Sequence, residues 1–205
     1  MLKKCKLVEK YEFIKYNYIR WFILFYPNNI KKEVKKNISF ANRGMDLEKL
    51  ISDANDYYLS VDKAVIYKKP TPVKISSVTY KNDIPKVDGY LNQKSTLDYV
   101  GLYKGKYLDF DAKKTLNKNS FPLSNIHNHQ LVHMKRIINH GGIAFLIIDI
   151  NNEVYLLKGE DILSFIEENE RKSIPYDYIK DKGYIIEYSY NPILDYLRVI
   201  DKIYY

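Results

Sequence analysis

Cysteine is almost missing from this chain: Cys5 is the only one among 205 residues. That excludes a disulfide framework and a four-cysteine zinc site, and it suits a reducing, cytoplasmic compartment. A membrane-length apolar run is missing as well. The run Ile19–Tyr26 is short, contains Arg20, and ends at Pro27-Asn28-Asn29 without a small-residue cleavage site. It reads neither as a signal peptide nor as a bilayer span, but as part of a basic, partly helical tail. Internal repeats and low-complexity tracts are absent too. What is abundant is Lys, Asn, Ile and Tyr, which we read mainly as codon bias. With 46% hydrophobic residues, the length suits one domain with a sizeable core plus peripheral segments. Loosely alternating strands and helices point to the α/β class.

The net charge of +8 is unevenly distributed. Residues 1–36 carry 10 Lys/Arg against 3 Glu, a net of +7, and read as a separate extension. Residues 37–205 carry 23 basic and 22 acidic residues, a net of only +1. Within that body, 63–118 holds 12 Lys against 5 Asp, while 37–62 and 119–205 come to −3 each. The domain therefore has one basic sector, and its most informative carboxylates lie inside it. A positive field around a small acidic cluster suits phosphodiester chemistry.

Apolar residues at helical spacing, from Leu47 to Tyr58, predict a helix over Gly44–Leu59 with Asp46 and Glu48 in its first turn. Ala64–Tyr67 reads as a strand. The stretch from Val73 to Tyr90, with its polar turn at Lys81-Asn82-Asp83, reads as a projecting hairpin, because its prolines disfavour a central sheet position. Further along, the pattern predicts a helix over Asn125–Ile138 ending at Gly141-Gly142. A hairpin of Ile143–Ile150 and Glu153–Leu157 about Asn151-Asn152 comes next. A helix over Asp161–Asn169 and a last one after Pro192 complete the order.

The chemistry concentrates between Ser95 and Lys113. Lys104-Gly105 is a two-residue turn in which Gly supplies a positive φ. With that loop Asp98 faces Asp111 and Thr96 faces Lys113. The period of two then puts Thr96, Asp98, Asp109, Asp111 and Lys113 on one face and Leu97, Leu108, Phe110 and Ala112 on the opposite, core face. Opposed residues have Cβ atoms roughly 4.5–5.5 Å apart, so two facing carboxylates call for a cation or a raised pKa. Mg²⁺ accepts one or two carboxylates, and Lys113 on the same face could stabilise charge on a phosphoryl group. The same alternation also describes an acidic, solvent-exposed face of a half-buried hairpin.

Asp98 followed by Asp111-Ala112-Lys113 resembles the Asp…(Asp/Glu)-x-Lys motif of restriction-endonuclease-like nucleases. Phe40-Ala41-Asn42-Arg43-Gly44-Met45, Lys68-Lys69-Pro70-Thr71-Pro72-Val73, Thr96-Leu97-Asp98-Tyr99, Phe121-Pro122-Leu123 with His129-Gln130, and Arg171-Lys172-Ser173-Ile174 together resemble the RecU Holliday junction resolvases, in that family's order and over about 37–205. The resemblance implies a restriction-endonuclease-like mixed sheet flanked by helices, with a basic stalk at about 70–90. It implies a homodimer that nicks four-way DNA junctions symmetrically with Mg²⁺, Mn²⁺ substituting, during recombination and repair. By position it implies Thr96, Asp98, Asp111 and Gln130 as metal ligands, with Asp98, Asp111 and Lys113 as the catalytic set and Lys113 stabilising the transition state. The family usually has Glu where this chain has Asp111. A junction-binding protein weakened in cleavage, which structures junctions or modulates a recombinase, is the alternative. A nuclease acting on linear duplex is another.

Arg43 ahead of a helix N-terminus, Lys68, Lys69, Lys74 and Lys81 in the basic excursion, and Arg171 with Lys172 are the candidate DNA contacts. Each also reads as an ordinary surface cation. His127, His129 and His133 invite a zinc reading, but no Cys or Glu completes the set, and they read as surface or DNA-facing histidines.

Overall fold

The computed structural model describes residues 46–91 and 96–205. The extension 1–36 and the Phe40–Met45 segment with Arg43 lie outside the described residues. The first helix, α1 (Leu47–Ser60), is capped by the Asp46 side chain, which accepts from the Glu48 N–H. Leu47, Leu50, Ile51, Ala54 and Tyr58 form its buried stripe. The strands are β1 (Val65–Lys68), β2 (Val73–Lys81), β3 (Ile84–Leu91), β4 (Tyr99–Tyr103), β5 (Lys106–Lys114) and β6 (Ser120–Pro122), then β7 (Ile143–Ile150), β8 (Glu153–Lys158), β9 (Ser173–Pro175) and β10 (Tyr184–Ile185). The later helices are α2 (Asn128–Asn139), α3 (Gly159–Glu168), α4 (Tyr176–Lys182) and α5 (Tyr196–Tyr204).

Six strands form a mixed sheet in the order β1-β4-β5-β7-β8-β10, in which only β5 and β7 run parallel. A parallel pair needs a crossover connection, and β6, a short 3₁₀ turn (Leu123–Asn125) and α2 make it. That crossover lays α2 on the sheet face opposite α1. Two cores result, one per face. The first packs α1 and α5 on Leu108, Phe110, Phe145 and Ile147. The second packs Met134 of α2 with Ile162 and Phe165 of α3 on Ala144, Leu146 and Ile148.

Three hairpin turns fall where the dipeptides predict them. Asn82-Asp83, Lys104-Gly105 and Asn151-Asn152 all have positive φ at both residues, the geometry that matches the twist of the flanking strands. The Lys104-Gly105 turn sets the expected register, with Tyr103 opposite Lys106 and Tyr99 opposite Phe110. No bulge interrupts it at Gly101. There the close approach of β1 leaves no room for a side chain, since a Cβ would sit 2.3 Å from the Val65 carbonyl oxygen.

β2 and β3 form a separate two-stranded sheet, and every residue of β2 is exposed. This is the expected stalk, Pro85 included, with a register shift between Ile75 and Ser77. Two expectations are corrected. The second helix starts at Asn128, because Ile126 and His127 are extended and Ile126 is drawn into the core. Leu97 packs in the second core with Phe121 and Ile126, away from Leu108 and Phe110. It precedes the first ladder pair, Tyr99 with Phe110, so strand alternation does not govern it.

Candidate active site

β5 delivers two carboxylates to the α2 face of the sheet, Asp109 and Asp111, and both are fully buried. An acidic solvent-exposed face is thereby ruled out. A buried carboxylate is costly unless paired or hydrogen-bonded, and the two solve this differently.

Asp98 lies just beyond the last ladder pair, Tyr99 with Phe110, and its side chain is close enough to Asp111 to act on it directly. Asp111 Oδ1 accepts from the Ala112 N–H at 2.8 Å. Its Oδ2 lies 2.8 Å from Lys113 Nζ and accepts from Gln130 Nε2 at 2.8 Å. Burial pushes the Asp111 carboxyl above the usual carboxylate range; Lys113 pulls it back down, and the neighbouring Asp98 raises it further. The structure therefore holds two neighbouring carboxylates, one of them fully buried, an arrangement that a divalent cation could relieve. The shorter arm at this position still reaches both Gln130 and Lys113.

Gln130 sits in the first turn of α2 and bridges three segments. Its Nε2 donates to Asp111 and, at 2.9 Å, to the Thr96 carbonyl, while its Oε1 accepts from the His127 N–H. Thr96, Asp98, Asp111, Lys113 and Gln130, five positions spread over 35 residues, are thus drawn into one cluster. Among the described residues no group of three or more His, Cys, Asp and Glu side chains is placed to hold a metal.

Asp109 is neutralised instead. Lys69 Nζ lies 2.9 Å from both of its oxygens, and His133 Nε2 and the Tyr107 hydroxyl meet its Oδ2 at 2.8 and 3.2 Å. Burial, with the charge of Asp109 next, pushes the Tyr107 hydroxyl up to about 12, so it stays a donor at neutral pH. The sequence reading missed this cluster. His133 is not simply a surface histidine, and Lys69 does not project into solvent. The signal that could have found it is the i, i+3 spacing of Gln130 and His133 on one helix.

The other candidates lie elsewhere. Lys68 pairs with Glu48 at 2.5 Å. Lys74 and Lys81 stand on the exposed stalk. Arg171 and Lys172 are exposed just before β9, whose pairing with β6 joins Ser173 to Pro122 and so brings two of the motif segments side by side. No described helix is long and apolar enough to cross a membrane.

The family profile of RecU, "Recombination protein U", matches residues 42–202. The chain belongs to the RecU family. It is 47% identical over 180 residues to the Holliday junction resolvase RecU of Streptococcus gordonii, covering 85% of this chain and 90% of that one. It is 44% identical over 194 residues to the RecU resolvase of Oceanobacillus iheyensis, covering 88% of this chain and 99% of that one. Among solved structures, Hjc of Archaeoglobus fulgidus, a Holliday junction resolvase from an archaeal hyperthermophile, overlays with a TM-score of 0.36 at 12% identity over 64% of this chain and 91% of that one, too little overlap to argue from. RecU membership therefore rests on the sequence matches.

Proposed function

We propose that this protein is a Holliday junction resolvase, an endonuclease that uses a divalent metal to nick four-way DNA junctions. The observation that carries the site is the closeness of Asp98 to the buried Asp111, with Lys113 and the Gln130 amide each 2.8 Å from the Asp111 carboxylate. Asp98 and Asp111 would hold the cation, with the Thr96 hydroxyl as a neutral oxygen donor and the Gln130 amide oxygen as another once the amide, which here turns its Nε2 to Asp111 and its Oε1 to the His127 N–H, is turned over. Such an all-oxygen set suits Mg²⁺, with Mn²⁺ able to replace it. When bound, the cation supplies Lewis-acid stabilisation of charge at the phosphoryl group.

The chain's own residues do the rest. Asp111 fixes the Lys113 ammonium, whose remaining N–H groups can meet developing negative charge or orient the attacking water. Gln130 holds Asp111 and the Thr96 backbone at once, so the ligand arm and the strand stay in register. In-line attack by water would leave 5′-phosphate and 3′-hydroxyl ends.

A homodimer fits this substrate, because two sites related by a two-fold axis match two strands of like polarity. Val65, Tyr67, Leu102 and Tyr107 supply a surface for it. They form one apolar strip across β1, β4 and β5, exposed at 52%, 56%, 55% and 42%. The stalk, with Lys74, Lys81 and Lys86, would enter the open centre of the junction, and Arg171 and Lys172 would contact the arms. The reducing cytoplasm, where the DNA lies, is consistent with one cysteine.

The test is cleavage of an immobile four-way junction beside a linear duplex of the same sequence. Nicking of the junction that needs Mg²⁺ or Mn²⁺ and fails with Ca²⁺ is expected. Nicking that persists in excess chelator would sink the two-carboxylate site. Equal cutting of duplex would make the protein a general endonuclease, and tight junction binding without cutting would make it a structuring protein.

A further inference from the structure

Asp109 is a fully buried carboxylate that the reaction does not use. Its partners fall on the segments that carry the site. Lys69 comes from the chain just after β1, where the first leg of the stalk begins. His133 comes from α2, the helix of Gln130. Asp109 itself is two residues before Asp111 on β5. Lys69 then makes the decisive contact, donating from Nζ to Thr96 Oγ1 at 2.9 Å, and its backbone N–H donates to the Asp98 carbonyl at 2.7 Å. The Thr96–Asp98 arm precedes the first ladder pair of β4 and has no strand partner of its own. It is held instead by Lys69 on one side and by Gln130, through the Thr96 carbonyl, on the other.

Building on the site proposed above, we propose that Lys69 is a positioning residue for the metal site: anchored on Asp109, it fixes the Thr96 hydroxyl and the Asp98 arm in the geometry that takes the cation. The sequence alone offers Lys69 as a phosphate contact. The structure gives its ammonium a different occupation, with both oxygens of a buried carboxylate and a threonine hydroxyl around it, and its side chain only 20% exposed. Partners that orient metal ligands commonly change metal affinity by about 10–100-fold when removed.

The test is Mn²⁺ binding to the full chain, without DNA, by titration calorimetry. Lys69→Met alone would strand the buried Asp109 charge and risk unfolding, so the main variant is Lys69→Met with Asp109→Asn, which removes both charges together. It should bind Mn²⁺ about 10–100-fold more weakly. Adding Thr96→Val to it should cost little more, since residues acting as one unit are not additive. Junction affinity in metal-free buffer, and its dependence on salt, should match wild type. Lys69→Arg keeps the charge against Asp109, and so the fold, but presents a planar fork to Thr96. It should weaken Mn²⁺ several-fold while its melting temperature holds.

Wild-type Mn²⁺ affinity in both variants overturns the proposal. So does a loss of junction affinity with a salt slope shallower by about one unit, the mark of a lost phosphate contact. Asp98→Asn, run in parallel, separates this from the site itself. If it leaves Mn²⁺ binding intact, the two-carboxylate site falls and this inference with it. If it abolishes binding while the Lys69 variants bind normally, only the role of Lys69 falls.

Discussion

Asp111 and Asp109 lie two residues apart on one strand, equally buried, yet only one of them has a second carboxylate beside it. Asp109 has a cation, a histidine and a phenol around it. Asp111 has a lysine, the Gln130 amide and the Ala112 N–H, but it also has the competing charge of Asp98. The difference predicts an unusual sign for Asp98→Asn. Removing the like charge and offering an amide donor should raise the melting temperature of the metal-free protein by about 2–4 °C, equivalent to ~1 kcal/mol for a chain of this size. Nicking should meanwhile be lost, and added Mg²⁺ should no longer stabilise the fold. A lower melting temperature would mean the carboxylate pair is not under repulsive strain. Asp111→Ala should reduce nicking by more than the ~100-fold typical of outer-shell changes, with junction binding kept, measured by gel shift in Ca²⁺. Wild-type nicking by that variant would place the cation elsewhere.

Elements set where these residues meet. β4 runs between β1 and β5, and its contact with β1 requires Gly101. Gly101→Ala would bring a Cβ to 2.3 Å from the Val65 oxygen and 2.7 Å from Ile66 Cα, both backbone atoms that cannot step aside. We expect a loss of at least about 3 kcal/mol, the upper range for overpacking, read by urea denaturation. Gly105→Ala is the control. Nothing lies within 4 Å of its added Cβ, so only the positive φ of 75° opposes it, a cost of ~1 kcal/mol. Similar losses in the two variants would show that β1 and β4 are less closely apposed than described. The stalk is the opposite case, a hairpin whose β2 strand is exposed along its whole length. Replacing Thr79–Lys86 with Asn-Gly would close the hairpin at the Val78–Val87 pair and remove Lys81 and Lys86. Stability should change by less than ~0.5 kcal/mol, as for surface changes generally. Preference for junction over duplex should fall at a fixed salt concentration. Equal losses for both substrates would reduce the stalk to a generic basic patch.

For the whole molecule, the exposed strip on β1, β4 and β5 is the surface we assign to a second copy. Leu102→Glu, at a position 55% exposed, should leave the protomer folded but shift it to monomer in sedimentation. Paired nicking should then become single and slow. A Leu102→Glu dimer as stable as wild type would move the interface elsewhere. The extension 1–36 holds most of the net positive charge of the chain, and we propose that it adds non-specific DNA affinity.

Much of this was legible from local rules. Periodicity and turn dipeptides gave the strands, the register about Lys104-Gly105 and the exposed stalk, because a two-residue turn and a period of two leave a hairpin little freedom. That register alone faced Asp98 with Asp111. The family motifs then supplied Gln130, which no local rule could bring to β5 from a separate helix. What only the tertiary structure decided is the division of labour among the polar residues. Which partners each of Asp109 and Asp111 finds depends on distant residues, for Asp109 on Lys69 and His133, 40 residues before it and 24 after it. The placement of Leu97 in the second core was undetermined for the same reason. Alternation holds inside a ladder, and these choices are made outside it, where burial forces each charge to find whichever partner the fold has brought within reach.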